Sequence, residues 1–205
     1  MNAYRAIAAL VAWSGLILQY WLMVRGQTGE AFATRTVNFF SYFTILSNLL
    51  AAVALTAPTA FPRSPIGFYF ARPGVRTAVA LYMAVTAATY IAILQGLWDP
   101  QGLQLVADTT LHYVTPALVL LDWLAFTPKG TLRWVYVWPW LMVPLAYGAY
   151  SIVRGPYAGF YPYPFLDVSE HGLTQVGLNM AAMCAVFLVL GLGLVLIDRT
   201  MRRRA

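Results

Sequence analysis

Asp108, His112, Thr115 and Asp122 follow one another at intervals of four, three and seven residues inside a largely apolar stretch. Those intervals bring all four onto one face of a helix. Asp108 then lies one turn before His112, where a carboxylate fixes one ring N–H and leaves the second ring nitrogen free to act as a base. A second polar series, Asn38, Ser41, Thr44 and Asn48, recurs at three, three and four, with Ser47 beside it. Hydroxyls on apolar helices usually bond the carbonyl one turn back or hold helices together. Opposite an imidazole, however, a hydroxyl becomes a nucleophile, with the imidazole taking its proton during attack and returning it to the leaving alkoxide. On that reading Thr44 attacks, His112 is the base and Asp108 stabilises the imidazolium. Asn48 and Ser41, each about one turn from Thr44, are the candidate donors to the oxyanion.

The elements that must carry these side chains are membrane helices. The chain has 205 residues, 60% hydrophobic and only 10% charged, and its mean hydropathy is +0.67. An average soluble domain carries about 25% charged residues. A soluble enzyme or a soluble nucleic-acid binder is excluded on this ground. The composition instead fits an all-α polytopic membrane protein forming a single domain over residues 1–205. Stretches between charged residues predict six transmembrane helices near residues 7–24, 39–56, 77–96, 105–126, 134–151 and 173–197. The first has an apolar core longer than that of a signal peptide and reads as a retained anchor.

The basic residues set the orientation. Ten of the thirteen fall at the N-terminus, in the second and fourth loops and in the tail: Arg5; Arg63, Arg72 and Arg76; Lys129 and Arg133; Arg199, Arg202, Arg203 and Arg204. Arg25, Arg35 and Arg154 lie on the other side. The positive-inside rule therefore predicts both termini in the cytoplasm. The second and fourth spans then enter from the outside, and Thr44 and His112 lie at one depth, roughly 8–11 Å into the outer leaflet. The segment 155–165, GPYAGFYPYPF, is predicted to be non-helical because of its prolines and to cover the mouth of a site, with Glu170 and His171 nearby at the water interface.

Three short stretches resemble a known family: Tyr42-Phe43-Thr44 within FSYFTILSN; residues 111–116, LHYVTP, leading to Asp122-Trp123; and Tyr163-Pro164-Phe165-Leu166 followed by Asp167. They are similar to the six-span membrane proteins related to the androgen-induced and androgen-dependent proteins of vertebrates, which have many bacterial relatives. The order of the stretches covers most of the chain, with slight identity outside them. The resemblance implies a threonine hydrolase cleaving fatty-acid esters of hydroxy fatty acids within the membrane, with Thr44 as nucleophile and His112 as its partner. It implies nothing for Asp108, Asn48 or Ser41, which rest on spacing alone. A second histidine expected upstream of His112 in the vertebrate pattern is absent.

The leading expectation is thus an intramembrane hydrolase of lipid esters, a serine-hydrolase-like threonine esterase whose partners are membrane lipids and a lipid ester substrate, with no nucleic acid. The alternative is a proton-coupled carrier or lipid-binding membrane sensor, in which Asp108, His112 and Asp122 form a relay. No cofactor is indicated. Cys184 is the only cysteine, which excludes an intramolecular disulfide and a cysteine-based metal cluster, and His112 and His171 are too few for a histidine-rich metal site. A bacterial cytoplasmic membrane is the expected location.

Overall fold

The computed structural model describes residues 2–202; Arg203 and Arg204, used above for orientation, lie outside them. The fold is all-helical, with no strand among the described residues. Helices α1 (Asn2–Val24), α3 (Phe43–Ala60), α5 (Pro73–Thr89) and α9 (Val168–Thr200) contain the four stretches long and apolar enough to cross a membrane, that of α5 running on to Leu97. The other two expected spans are helical as well. The fourth is built from α6 (Gly102–Thr109) and α7 (Thr115–Phe126), joined without a break by one wide turn, Thr110–Val114. The fifth is α8 (Val137–Ala158). Two further helices, α2 (Gly29–Phe39) and α4 (Pro65–Ala71), fill connections read as loops from the sequence.

The second expected span does not begin at residue 39. Helix α2 ends at Phe39, and α3 starts afresh at Phe43, although neither Pro nor Gly stands between them. Tertiary bonds explain the interruption. Phe39 and Phe40 pack on Tyr20, with ring centroids 5.1 and 6.5 Å away. The Ser41 carbonyl accepts the Tyr147 hydroxyl at 3.0 Å, while the Ile45 N–H turns to Tyr42 O. The polar series 38, 41, 44 and 48 is therefore not one helical face. Asn38 is on α2, Ser41 is in the break, and Thr44 is in the first turn of α3.

The segment 155–165 is also corrected in part. Its first four residues continue α8, with Pro156 inside the helix, and Gly159 in the left-handed conformation (φ 57°) ends it. The chain from 159 to 167 then folds back as a loop carrying the short turn Pro164–Leu166. Asp167 closes that loop by capping α9: its carboxylate accepts the Ser169 and Glu170 N–H groups at 2.8 and 3.2 Å.

At the far end of the bundle a buried charge cluster ties three helices. Asp122 of α7 accepts from Arg5 Nε of α1 at 2.8 Å and from Arg76 of α5. Arg76 Nε also donates to Thr127 Oγ1 at 2.9 Å. A carboxylate buried with two guanidinium partners is satisfied only while both are present, so the triad fixes the register of these helices. It also engages both oxygens of Asp122 with arginine and not with His112.

Candidate active site

Pro116 shapes the histidine helix. It has no N–H to offer the preceding turn, and its ring crowds the carbonyl four residues back. The helix responds by widening: the Thr115 N–H bonds Thr110 O, five residues back. Leu111 O, which would have taken a donor from Thr115 or Pro116, is left without a helical partner. Asn48 supplies one from α3 at 3.1 Å, and the same amide nitrogen donates to Thr44 O at 2.8 Å. One side chain thus couples the first turn of α3 to the wide turn bearing His112. Wide turns of this kind recur at functional sites. A second one, Tyr90–Leu94, follows α5 and lies against the first: the Tyr90 ring stacks on His112 with centroids 4.0 Å apart and 13° between planes.

The structure brings Thr44, His112 and Asp108 together. Thr44 Oγ1 lies 3.3 Å from His112 Nε2. His112 Nδ1 lies 3.2 Å from Asp108 Oδ1 and 3.1 Å from the Asp108 carbonyl. Both neighbours of Nδ1 are acceptors, so the proton belongs on Nδ1, leaving Nε2 to accept from the Thr44 hydroxyl. Asp108 is only 3% exposed, and its other oxygen accepts from the Tyr90 hydroxyl. The chain Tyr90–Asp108–His112–Thr44 is satisfied at every member.

Two supporting residues stand elsewhere than expected. Both hydrogens of the Asn48 amide are spent on carbonyls, so Asn48 positions helices and does not face an oxyanion. Ser41 is fully buried and turned away: its hydroxyl donates to Val37 O at 2.7 Å and meets Tyr150 OH at 2.9 Å. Asn38 accepts from Arg154 at 2.6 Å. Thr115 is buried without a partner for its hydroxyl. Glu170 and His171 remain exposed.

Tyr163 takes the place expected of Asn48 or Ser41. Its hydroxyl lies 3.1 Å from Thr44 Oγ1 and accepts the Thr44 N–H at 3.0 Å. That N–H is one of the orphan donors at the start of α3, so Tyr163 caps the helix that presents the nucleophile. If the Thr44 hydroxyl gives its proton to His112 Nε2, the contact with Tyr163 leaves the phenol as the donor to Thr44 Oγ1. Tyr163 stood within a stretch quoted above, but its partner is 119 residues away and no spacing connects them.

Two spaces meet at Thr44. A cavity of about 560 Å³ is lined on its inner side by Thr44, Tyr90, Asp108, His112 and Tyr163, and on its outer side by polar residues including Gln19, Arg25, Arg35 and Gln104. Arg25 and Arg35 have no carboxylate partner among the described residues. Pro162 and Pro164 of the loop form part of its wall. Behind Thr44, between α5, α8 and α9, a narrow apolar chamber of about 60 Å³ is bounded by Thr44, Tyr163, Met180, Met183, Cys184 and Phe187 among others. No group of three or more His, Cys, Asp or Glu among the described residues is arranged to hold a metal ion. In comparisons with known proteins, no family model, no curated protein and no solved structure matches the chain.

Proposed function

We propose that the protein is an intramembrane hydrolase of lipid esters that works through a covalent acyl-threonine. The observation that carries the reading is the Thr44 hydroxyl held 3.3 Å from an imidazole whose opposite nitrogen faces a buried carboxylate. Such a nucleophile, base and orienting acid is a recurring solution for acyl transfer, recognised by geometry and not by fold. The resemblance of the three short stretches to the androgen-induced protein family supports the same assignment. We further infer that all six apolar helices cross the bilayer with both termini cytoplasmic, in a bacterial cytoplasmic membrane. This places Thr44 in the outer leaflet, where a lipid ester can reach it laterally.

The reaction runs in two halves. Thr44 Oγ1 attacks the ester carbonyl carbon as its proton passes to His112 Nε2. The resulting oxyanion takes the Tyr163 hydroxyl as a donor, in the positive field of the α3 N-terminus. Collapse breaks the bond to the alcohol oxygen, which leaves with the proton from His112. Water then gives its proton to His112 and attacks the acyl-threonine, and collapse releases the carboxylic acid as Thr44 recovers its hydroxyl proton. Asp108 accepts from the His112 Nδ1–H and stabilises the imidazolium as it forms.

The relay alternative requires Asp108, His112 and Asp122 to exchange protons along one face. Asp122 is instead held by two arginines, roughly 20 Å along the helix from Asp108. The hydrolase is tested by fluorophosphonate labelling of the purified protein in detergent, with the labelled peptide mapped. Label on Thr44, absent from folded Thr44→Ala and His112→Ala proteins, is the expected result. Folded wild type that takes no label, while liposomes carrying it conduct protons, favours the carrier.

A further inference from the structure

The two spaces that meet at Thr44 are not equivalent toward the reaction, and the difference sorts the two halves of the ester. His112 lines the large cavity and not the narrow chamber. The imidazole must hand its proton to the leaving alcohol oxygen, so the alcohol half has to depart on the His112 side. The acyl half, bonded to the same carbonyl carbon, then points the other way, past Thr44 into the apolar chamber between α5, α8 and α9. We propose that this chamber is the acyl pocket, that it selects short acyl chains, and that Met180 sets the length it accepts. The proposal rests on the hydrolase reading above and deepens it.

The dimensions argue for short chains. At one water-sized group for each 10–15 Å³ of such space, 60 Å³ holds roughly four to six methylene-sized groups. The lining is apolar, as an alkyl chain requires, and none of it offers a charge to an acyl terminus. Met180 of α9 closes the chamber against Gly148 of α8. A Cβ added at Gly148 would collide with the Met180 terminal methyl, so the absence of a side chain there is what gives the thioether its seat. Methionine is unbranched and flexible, which lets a substitution at either position move the chamber wall without recasting the helices. Shortening Met180 enlarges the chamber between α8 and α9; adding a methyl at Gly148 drives Met180 inward.

The experiment is a chain-length series of 4-methylumbelliferyl esters (acetate, butanoate, hexanoate, decanoate and hexadecanoate) turned over by purified full-length protein in detergent. Wild type, Met180→Ala, Gly148→Ala and Thr44→Ala are compared. Wild type is expected to prefer butanoate or hexanoate over decanoate by about tenfold or more, the scale on which apolar pockets discriminate methylenes. Met180→Ala is expected to raise the decanoate-to-butanoate ratio by about tenfold, and Gly148→Ala to lower the hexanoate-to-acetate ratio, so that the variants move in opposite directions. Wild type preferring hexadecanoate, or ratios unchanged in both folded variants, overturns the acyl-pocket assignment while leaving the hydrolase intact. Turnover of no ester by folded wild type, together with the absence of fluorophosphonate label on Thr44, overturns the hydrolase reading and the pocket with it.

Discussion

At the scale of single residues, the site depends on where each proton points. His112 receives two acceptors at Nδ1, and Thr44 receives the phenol proton of Tyr163. Replacing Asp108 with Asn offers a donor where Nδ1–H needs an acceptor and favours the wrong tautomer. We expect a loss of about 10²–10⁴-fold in kcat for ester hydrolysis with KM little changed. Tyr163→Phe removes the proposed oxyanion donor and the cap on the Thr44 N–H together; kcat is expected to fall by about 10²–10³-fold, measured on the same ester. An unchanged kcat in Tyr163→Phe would return the oxyanion role to other groups. That Asp108 neighbours His112 was legible in the sequence because a four-residue interval fixes a helical neighbour, while Thr44 was set beside them on an expected depth and not on any interval. Asn48 and Ser41 were named, but an interval says that an amide is near, not which carbonyls claim its hydrogens. Tyr163 lay in view without a role, because a loop residue bonded across 119 positions leaves no periodic trace.

At the scale of elements, two departures from a regular helix build the site. The break after Phe39 makes Thr44 a first-turn residue, placing its hydroxyl in the field of a helix N-terminus. The wide turn before Pro116 turns His112 toward it and frees Leu111 O for Asn48. Pro116→Ala restores an N–H and removes the ring clash. We expect thermal stability in detergent to hold or rise, while ester hydrolysis falls at least about tenfold as the turn tightens and His112 moves off line. Asn48→Leu, which leaves the Leu111 carbonyl without its donor while Thr44 O keeps the Ser47 hydroxyl, is expected to lower unfolding stability by about 1–3 kcal/mol and to slow catalysis as well. The positions of the long helices were readable because apolar runs between charges are long. The break was not, since aromatic packing and the Tyr147 bond cause it and no Pro or Gly announces it. The continuation of α8 through Pro156 was misread because Pro156 sits in the helix's last turn, where the following Gly159 and not the proline sets the end.

At the scale of the whole molecule, the Thr44–His112–Asp108 cluster and the charge triad lie toward opposite ends of the helical bundle. α1, α5 and α7 are pinned by Arg5, Arg76 and Asp122. Tyr90 and His112 stand on the wide turns that follow α5 and precede α7. Removing Asp122 leaves two buried guanidinium groups without a counter-charge. Asp122→Ala is expected to cost about 3–5 kcal/mol of stability, measured by unfolding in detergent, yet to leave Thr44 labelling intact in the protein that remains folded. Loss of labelling from folded Asp122→Ala would tie the triad to the chemistry. Nothing in the sequence distinguished Asp122 from Asp108, for both are carboxylates on one face. Their partners lie on other helices, and only packing assigns one to an imidazole and the other to two arginines. Outside the apolar helices, the Asp167 cap closes the loop that delivers Tyr163. Hydrogen bonds from Ser169 hold its carboxyl below the usual carboxylate range. Its contribution to the loop is therefore full above that range and is lost as pH falls through the lowered value.

The covalent acyl-threonine is the claim on which the rest depends. Rapid acid quench of purified wild-type protein turning over 4-methylumbelliferyl butanoate, followed by intact-mass and peptide mass spectrometry, measures it directly. A butanoyl adduct on Thr44, absent from Thr44→Ala and lost with time after substrate is exhausted, is the result expected. Steady hydrolysis with no adduct on any residue, or with full activity in Thr44→Ala, would contradict it.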